Sequence, residues 1–431
     1  MDQFNIKYNV TGNHAIAVSQ DHEVAKSTET PWWGEDLQGM YPHREDYPIL
    51  PDEDYERKFA QLRQVMQMED LEYFIIAGRA ATVWISGYFD PFTNVGYVIF
   101  PLEGEPILIE NFGHHTPTAK AISYIRNFRE GWRVKLETFA YDEAVVDALK
   151  ECGADDNSKV GICGWDIWEW EPTNFVPAKV MDRLRAEFPN VEFPFFNDLI
   201  MRLARIHSEH EMVFVEKACG MLDTMFEELE AKVRPGMLEC EVWGIVKWVM
   251  YKEGGDDPFQ QLIVSHPQSA PVGARFGSTN PPMRELQKGD IITGEYSSRY
   301  GGYCAQSGHP ISLGKPLQEW VDLYDVGVEA LYAAVDKLRP GNTFQEARHA
   351  GRDVYIKENV YGRLAGHLMG IQVERVGPHE PFEPGMTVAL HSWPYSQDYG
   401  KGHFIGDTFQ ITEGAPIKLN NFPEKIIEID V

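Results

Sequence analysis

Residues Gly289–Pro310 read "GDIITGEYSSRYGGYCAQSGHP". An apolar run ends in Gly294-Glu295, a Gly-Gly pair breaks the segment, and a polar run leads to Gln306 and His309. Strand residues followed by a glycine turn predict two paired strands. Glu295 and Gln306 lie eleven residues apart on the two of them.

Downstream, "LAGHLMG", "FEPGMTVALHSWPY" and "IGDTFQITEGAP" supply further strand-like runs with His367, His391 and Asp407. Around them the sequence repeats itself. "AKVRPGMLECEV" at 231–242 returns as "DKLRPGNTFQEA" at 336–347, with five identities at a constant offset of 105 residues. In the second copy Thr343 and Glu346 form a capping box that starts a helix. Each copy reads as helix, Arg-Pro-Gly break, helix, then strands, which predicts an α/β domain with an internal pseudo-two-fold.

Upstream, "DYERKFAQLRQVMQME" has helical spacing, while "EYFIIAG", "TVWISGY", "VGYVIFP" and "PILIE" read as strands. Helices and a strand in "DEAVVDALKECG", "KVGICGW" and "PAKVMDRLRAEFP" complete a mixed sheet covered on both faces. The expected division is an extension over 1–50, an α/β domain over 51–200 and the repeated domain over 201–431. Trp32 and Trp33 in the extension, and the alternating Trp165, Trp168 and Trp170, suggest docking surfaces, within the chain or against a second subunit.

The chain has 431 residues, 43% hydrophobic and 24% charged, with 39 basic against 66 acidic residues, a net charge of −27. So acidic a surface argues against nucleic-acid and membrane partners. No apolar run approaches the roughly 20 residues that span a bilayer, and the N-terminus has no signal-peptide pattern. Five scattered cysteines without C-x-x-C spacing fit free thiols in the cytoplasm.

The order of these segments resembles the pita-bread fold of the creatinase, aminopeptidase P, prolidase and methionine aminopeptidase family. "LQKGDIITGEYSSRYGGY" is similar to its Gly-Asp strand pair, "LAGHLMG" to its Gly-His-Gly turn, and the two segments after it to its last strands. Residues 55–200 resemble the creatinase-type N-terminal domain. The resemblance implies a homodimer acting on a small molecule. Its metallopeptidases hold two metal ions with two Asp, one His and two Glu. Here those positions fall on Glu295, Gln306, His367, His391 and Gly406. Only the histidine is unchanged, and a neutral Gln cannot bridge two cations. The histidine and glutamates of creatinase itself fall on Gly273, Gly308 and His391.

Two readings of the remaining residues stay open. Glu295, His367 and His391 form a two-His-one-carboxylate set suited to a single Fe, Mn or Zn ion. Alternatively no metal is bound, and His367 and His391 act as acid and base, with Glu295 and Asp407 as carboxylate partners. Gln306, His309, Trp393, Tyr395, His403 and Arg275 are the expected substrate-binding residues. Either way the expected reaction is C–N hydrolysis, or a related cleavage by elimination, of a small polar or zwitterionic substrate. The alternatives are an Xaa-Pro peptidase with one metal, a lyase similar to those cleaving dimethylsulfoniopropionate, and a binding protein without catalysis.

Overall fold

The long helix Glu209–Lys232 starts at a capping box, in which Ser208 accepts from the Glu211 amide and Glu211 reaches back to the Ser208 amide. It ends before Pro235-Gly236, and Glu239–Lys252 follows. The same sequence of events recurs in Gln318–Val335 and Phe344–Lys357, the latter opened by the Thr343–Glu346 box. The computed structural model describes residues 46–88, 96–110, 116–133, 138–164, 176–196, 198–257, 261–269, 280–371, 373–374 and 377–431. The expected extension, apart from its last five residues, and the Trp165–Trp170 segment lie outside them.

Each helix pair belongs to one five-stranded sheet. Asp290–Tyr300 is central to the first, flanked by Tyr303–Ser307, Ile311–Leu313 and Gln261–Pro267, with Ile427–Ile429 beyond. The second runs in the order Val373–Glu374, Tyr361–Met369, Thr387–Tyr395, Ile405–Gln410 and Ile417–Lys418. The sheets meet where Gly308 and Gly406 exchange both backbone hydrogen bonds, at 2.8 and 3.1 Å. This is the expected pita-bread arrangement with its internal two-fold.

The N-terminal domain is a six-stranded mixed sheet, in which Tyr73–Ala77 is antiparallel to Tyr97–Pro101 and parallel to Val160–Cys163. One expectation fails here. "TVWISGY" is not a strand but the end of the helix Arg79–Ser86. Its β-branched and aromatic residues suggested a strand, but all of Ala80–Ser86 is buried, so no period was visible. Gly78 and Gly87, at φ +95° and +73°, delimit it, and the Thr82 and Ser86 hydroxyls donate to carbonyls one turn back.

The helix Asp52–Met68 joins the two domains through a fully buried Lys58. Its ammonium is 3.0 Å from Glu211, which also accepts from Tyr303 (2.6 Å) and pairs with Arg57 (2.8 Å). Lys58 also sits over the Tyr55 and Trp84 rings. No helix among the described residues is long and apolar enough to cross a membrane.

Candidate metal centre

Residues opposite each other in an antiparallel register share a face, and neighbours along a strand point to opposite faces. In the first sheet Ser297 stands opposite Gln306, so Glu295, Ser297, Gln306 and Gly308 share a face. In the second, His367 opposes Ala389 and His391 opposes both Ala365 and Gly406, so His367, His391, Gly406 and Thr408 share a face. The glycine bridge brings these two faces together.

Glu295, His367 and His391 are all buried, and one ligand atom from each lies within 4.8 Å of the other two. His391 Nε2 stands at the middle, 3.1 Å from Gln306 Oε1, 3.4 Å from His367 Nε2 and 3.9 Å from Glu295 Oε1. His367 Nδ1 is 3.2 Å from the Leu368 carbonyl. A carbonyl can only accept, so the proton sits on Nδ1 and the Nε2 lone pair faces the cluster. Burial raises the Glu295 carboxyl to about 8, a rise that a hydrogen bond with Gln306 only partly offsets. Burial lowers His367 to about 4, and burial together with the neighbouring His367 takes His391 well below 6.5. Without an ion the cluster is a neutral acid beside two neutral imidazoles. That is a resting state from which one cation can take all three groups.

Among the described residues, Glu295, His367 and His391 are the ligand group that comes together here. Gln306 is neutral, and its amide is engaged with His391 and with the Ser297 hydroxyl (3.3 Å). A Cβ at Gly308 would overlap the Phe404 ring. One at Gly406 would come within 2.5 Å of the Leu390 carbonyl and 2.8 Å of His391 Nδ1. Phe404 packs against His391, with centroids 4.8 Å apart and the rings tilted by 38°. A side chain would thus meet the Phe404 ring at Gly308, and a backbone carbonyl and the His391 imidazole at Gly406.

The other expected residues divide. Asp407 opposes Leu390 and lies on the far face of its sheet. There it accepts from Ser307 (2.6 Å) and meets His309 (3.5 Å) and Lys418 (3.0 Å). Burial alone would raise its pKa, but His309, Lys418 and Ser307 together hold it below the usual range. Asp407 and His309 are thus corrected to a buried polar group behind the site, His309 being wedged between Phe226 and Phe422. His403 is likewise a core residue, with Nε2 2.8 Å from the Trp320 carbonyl and its pKa lowered by burial to about 4. Gln306 lies in the cluster, its Oε1 accepting from His391 Nε2 at 3.1 Å. Trp393 and Tyr395 share the His391 face farther along the strand. Arg275 lies outside the described residues. Arg363, four residues before His367 on the same strand, lies on the same face.

The sequence pattern of the creatinase/prolidase N-terminal domain matches residues 58–205, and that of metallopeptidase family M24 matches 214–413. The chain belongs to the pita-bread family of creatinase, aminopeptidase P and prolidase. An Xaa-Pro dipeptidase from Pyrococcus horikoshii is 26% identical over 381 residues, covering 86% of this chain and 98% of that protein. An uncharacterized peptidase from Bacillus subtilis is 26% identical over 238 residues, covering 53% of this chain and 65% of the other. Among solved structures, an Xaa-Pro dipeptidase from Bacillus anthracis has a TM-score of 0.71 at 19% identity, covering 87% of this chain and 100% of its own. The prolidase from Pyrococcus horikoshii has a TM-score of 0.69 at 19% identity, covering 86% and 99%. These structures share the pita-bread fold. The relatives named are peptidases, so the lyase alternative is set aside.

Proposed function

We propose that the chain is a peptidase-like hydrolase that cuts a C–N bond in a small polar substrate at a single divalent metal ion. The observation that carries this reading is the approach of Glu295, His367 and His391 to within 4.8 Å, beside a Gln306 and a Gly406 that bring no further carboxylate. Fe(II), Mn(II) or Zn(II) would suit two imidazoles and a carboxylate. Such an ion supplies an activated water and polarises the carbonyl that is attacked. The chain's own residues hold that arrangement. The Leu368 carbonyl fixes the His367 tautomer, and Gln306, itself bonded to Ser297, holds His391 through Nε2 until an ion takes that atom. The buried Phe404 ring packs against His391.

Elemental analysis of protein purified without added metal tests this reading, beside a His367→Ala/His391→Ala double variant. One ion per chain, absent from the variant, is the expected result, together with turnover of a dipeptide panel including Xaa-Pro. Two ions per chain, or none after soaking in Mn(II), Fe(II) and Zn(II), would refute it. A homodimer and a domain division near residue 200 belong to the same reading. The division is supported by pattern matches that end at 205 and resume at 214. Light scattering checks the dimer.

A further inference from the structure

The face of the first sheet that carries Glu295, Ser297 and Gln306 continues past them. Arg299 lies two positions beyond Ser297 on the same strand and stands opposite Cys304. It is four residues from Glu295, roughly 13 Å along the strand. Its Nε donates to Cys304 Sγ at 3.3 Å, and its Nη1 to the Asp257 carbonyl at 3.3 Å. Cys304 in turn packs against Met369 and Ala389, and all three are fully buried. Ala389 opposes His367 in the second sheet, so this apolar layer adjoins the metal cluster.

Arg299 also lines a cavity of about 260 Å³ between the N-terminal domain and the pita-bread domain. Among the described residues around that cavity, three are charged: Arg79, Arg299 and Asp256. Arg79 opens the helix Arg79–Ser86, and Arg299 is only 4% exposed. The Asp256 carboxylate accepts from the Gly302 amide at 3.0 Å. Two guanidinium groups against one carboxylate leave a positive charge in excess, in a chain whose net charge is −27. Withdrawn from bulk water, that charge acts through a lower dielectric than it would on the surface. Val83, Ile122 and Ile371 supply an apolar wall. A water takes about 30 Å³ of liquid, so the space suits a ligand of roughly eight or nine heavy atoms.

We propose that this cavity is a second ligand site, separate from the metal centre, for a small carboxylate with an apolar body. Arg299, already held by Cys304 and the Asp257 carbonyl, loses little freedom on receiving it. Arg79 supplies a second guanidinium fork from the other domain, and the apolar wall takes the body of the ligand. The buried Cys304–Met369–Ala389 layer keeps the two sites apart, so the ligand is a free anion and not the far end of a substrate at the metal. The proposal does not depend on the hydrolase reading.

Calorimetric titration of the protein as purified with benzoate, benzamide and benzylammonium tests the site, since these probes share a body and differ in charge. Benzoate is expected to bind about 10- to 100-fold more tightly than benzamide, the range for a charge-assisted hydrogen bond. The same ratio is expected in the His367→Ala/His391→Ala variant, which removes the metal as a carboxylate binder. It falls towards one in Arg79→Gln and in Arg299→Gln, and Arg299→Lys recovers part of it. Arg79 is half-buried at a helix start, so its variant carries the test should the buried Arg299 variants fail to fold. Benzamide binding as tightly as benzoate, benzylammonium binding more tightly, or no saturable binding of any probe overturns the site. So does loss of benzoate binding in the double variant, which would assign the anion to the metal centre. Benzoate preference in a protein that takes up no ion would refute the metal centre alone.

Discussion

A metal ion can bind Glu295 only as a carboxylate, and the burial that raises this group to about 8 fixes how its affinity depends on pH. With a pKa of about 8, roughly one chain in ten carries the carboxylate at pH 7 and one in a hundred at pH 6. Both imidazoles are neutral across that range, His367 at about 4 and His391 well below 6.5. One proton is therefore displaced per ion. The apparent Kd should rise by nearly tenfold for each unit that pH falls below 8, and level off above it. Ordinary values would give a different profile, flat between 8 and 7 and approaching two protons below 6.5 as both histidines protonate. Competition with a chromophoric chelator between pH 6 and 9 measures the slope. Titration in buffers of different protonation enthalpy counts the protons. Glu295→Gln should bind the ion more weakly and without the slope. A pH-independent Kd between 6 and 8, or release of two protons, would refute the reasoning.

Gly308→Ala should destabilise the protein by about 1–3 kcal/mol through overpacking against Phe404. Adding Phe404→Ala should recover part of that, as measured by chemical denaturation. Lys58→Met leaves the buried Glu211 with one fewer cation, and should cost about 3–5 kcal/mol. A smaller loss in the Glu211→Gln background would show that the uncompensated charge is the cause. Burial alone would raise Glu211, but Lys58 and His207, with hydrogen bonds from Tyr303 and Ser208, hold it at about 2, below its usual 4.5. A depressed carboxyl stabilises the fold above its unfolded pKa. About 3 kcal/mol should therefore be present above pH 4.5 and lost as pH falls towards 2, a slope that Glu211→Gln should lack.

The order of elements was legible because the Arg-Pro-Gly breaks and the Thr343 capping box act locally, within a few residues of the helices they bound. The three-residue cluster was legible through resemblance, since Glu295, His367 and His391 fall on ligand positions. Asp407 shows where that approach fails. It adjoins the ligand position at Gly406, yet one step along a strand reverses the face, and alternation alone would have sent it away from His391. His403 and His309 depend on packing against Trp320 and Phe226, contacts between segments far apart in sequence.

The Gly308–Gly406 contact joins the two halves of the domain with a pair of backbone hydrogen bonds, and neither residue has a side chain to reinforce them. Glu295 belongs to one half, His367 and His391 to the other. An ion held by all three would stitch the halves together and damp their breathing against each other. Loading would then be mechanical as well as chemical, slowing amide exchange at Gly308 and Gly406, and the empty protein would be the looser one.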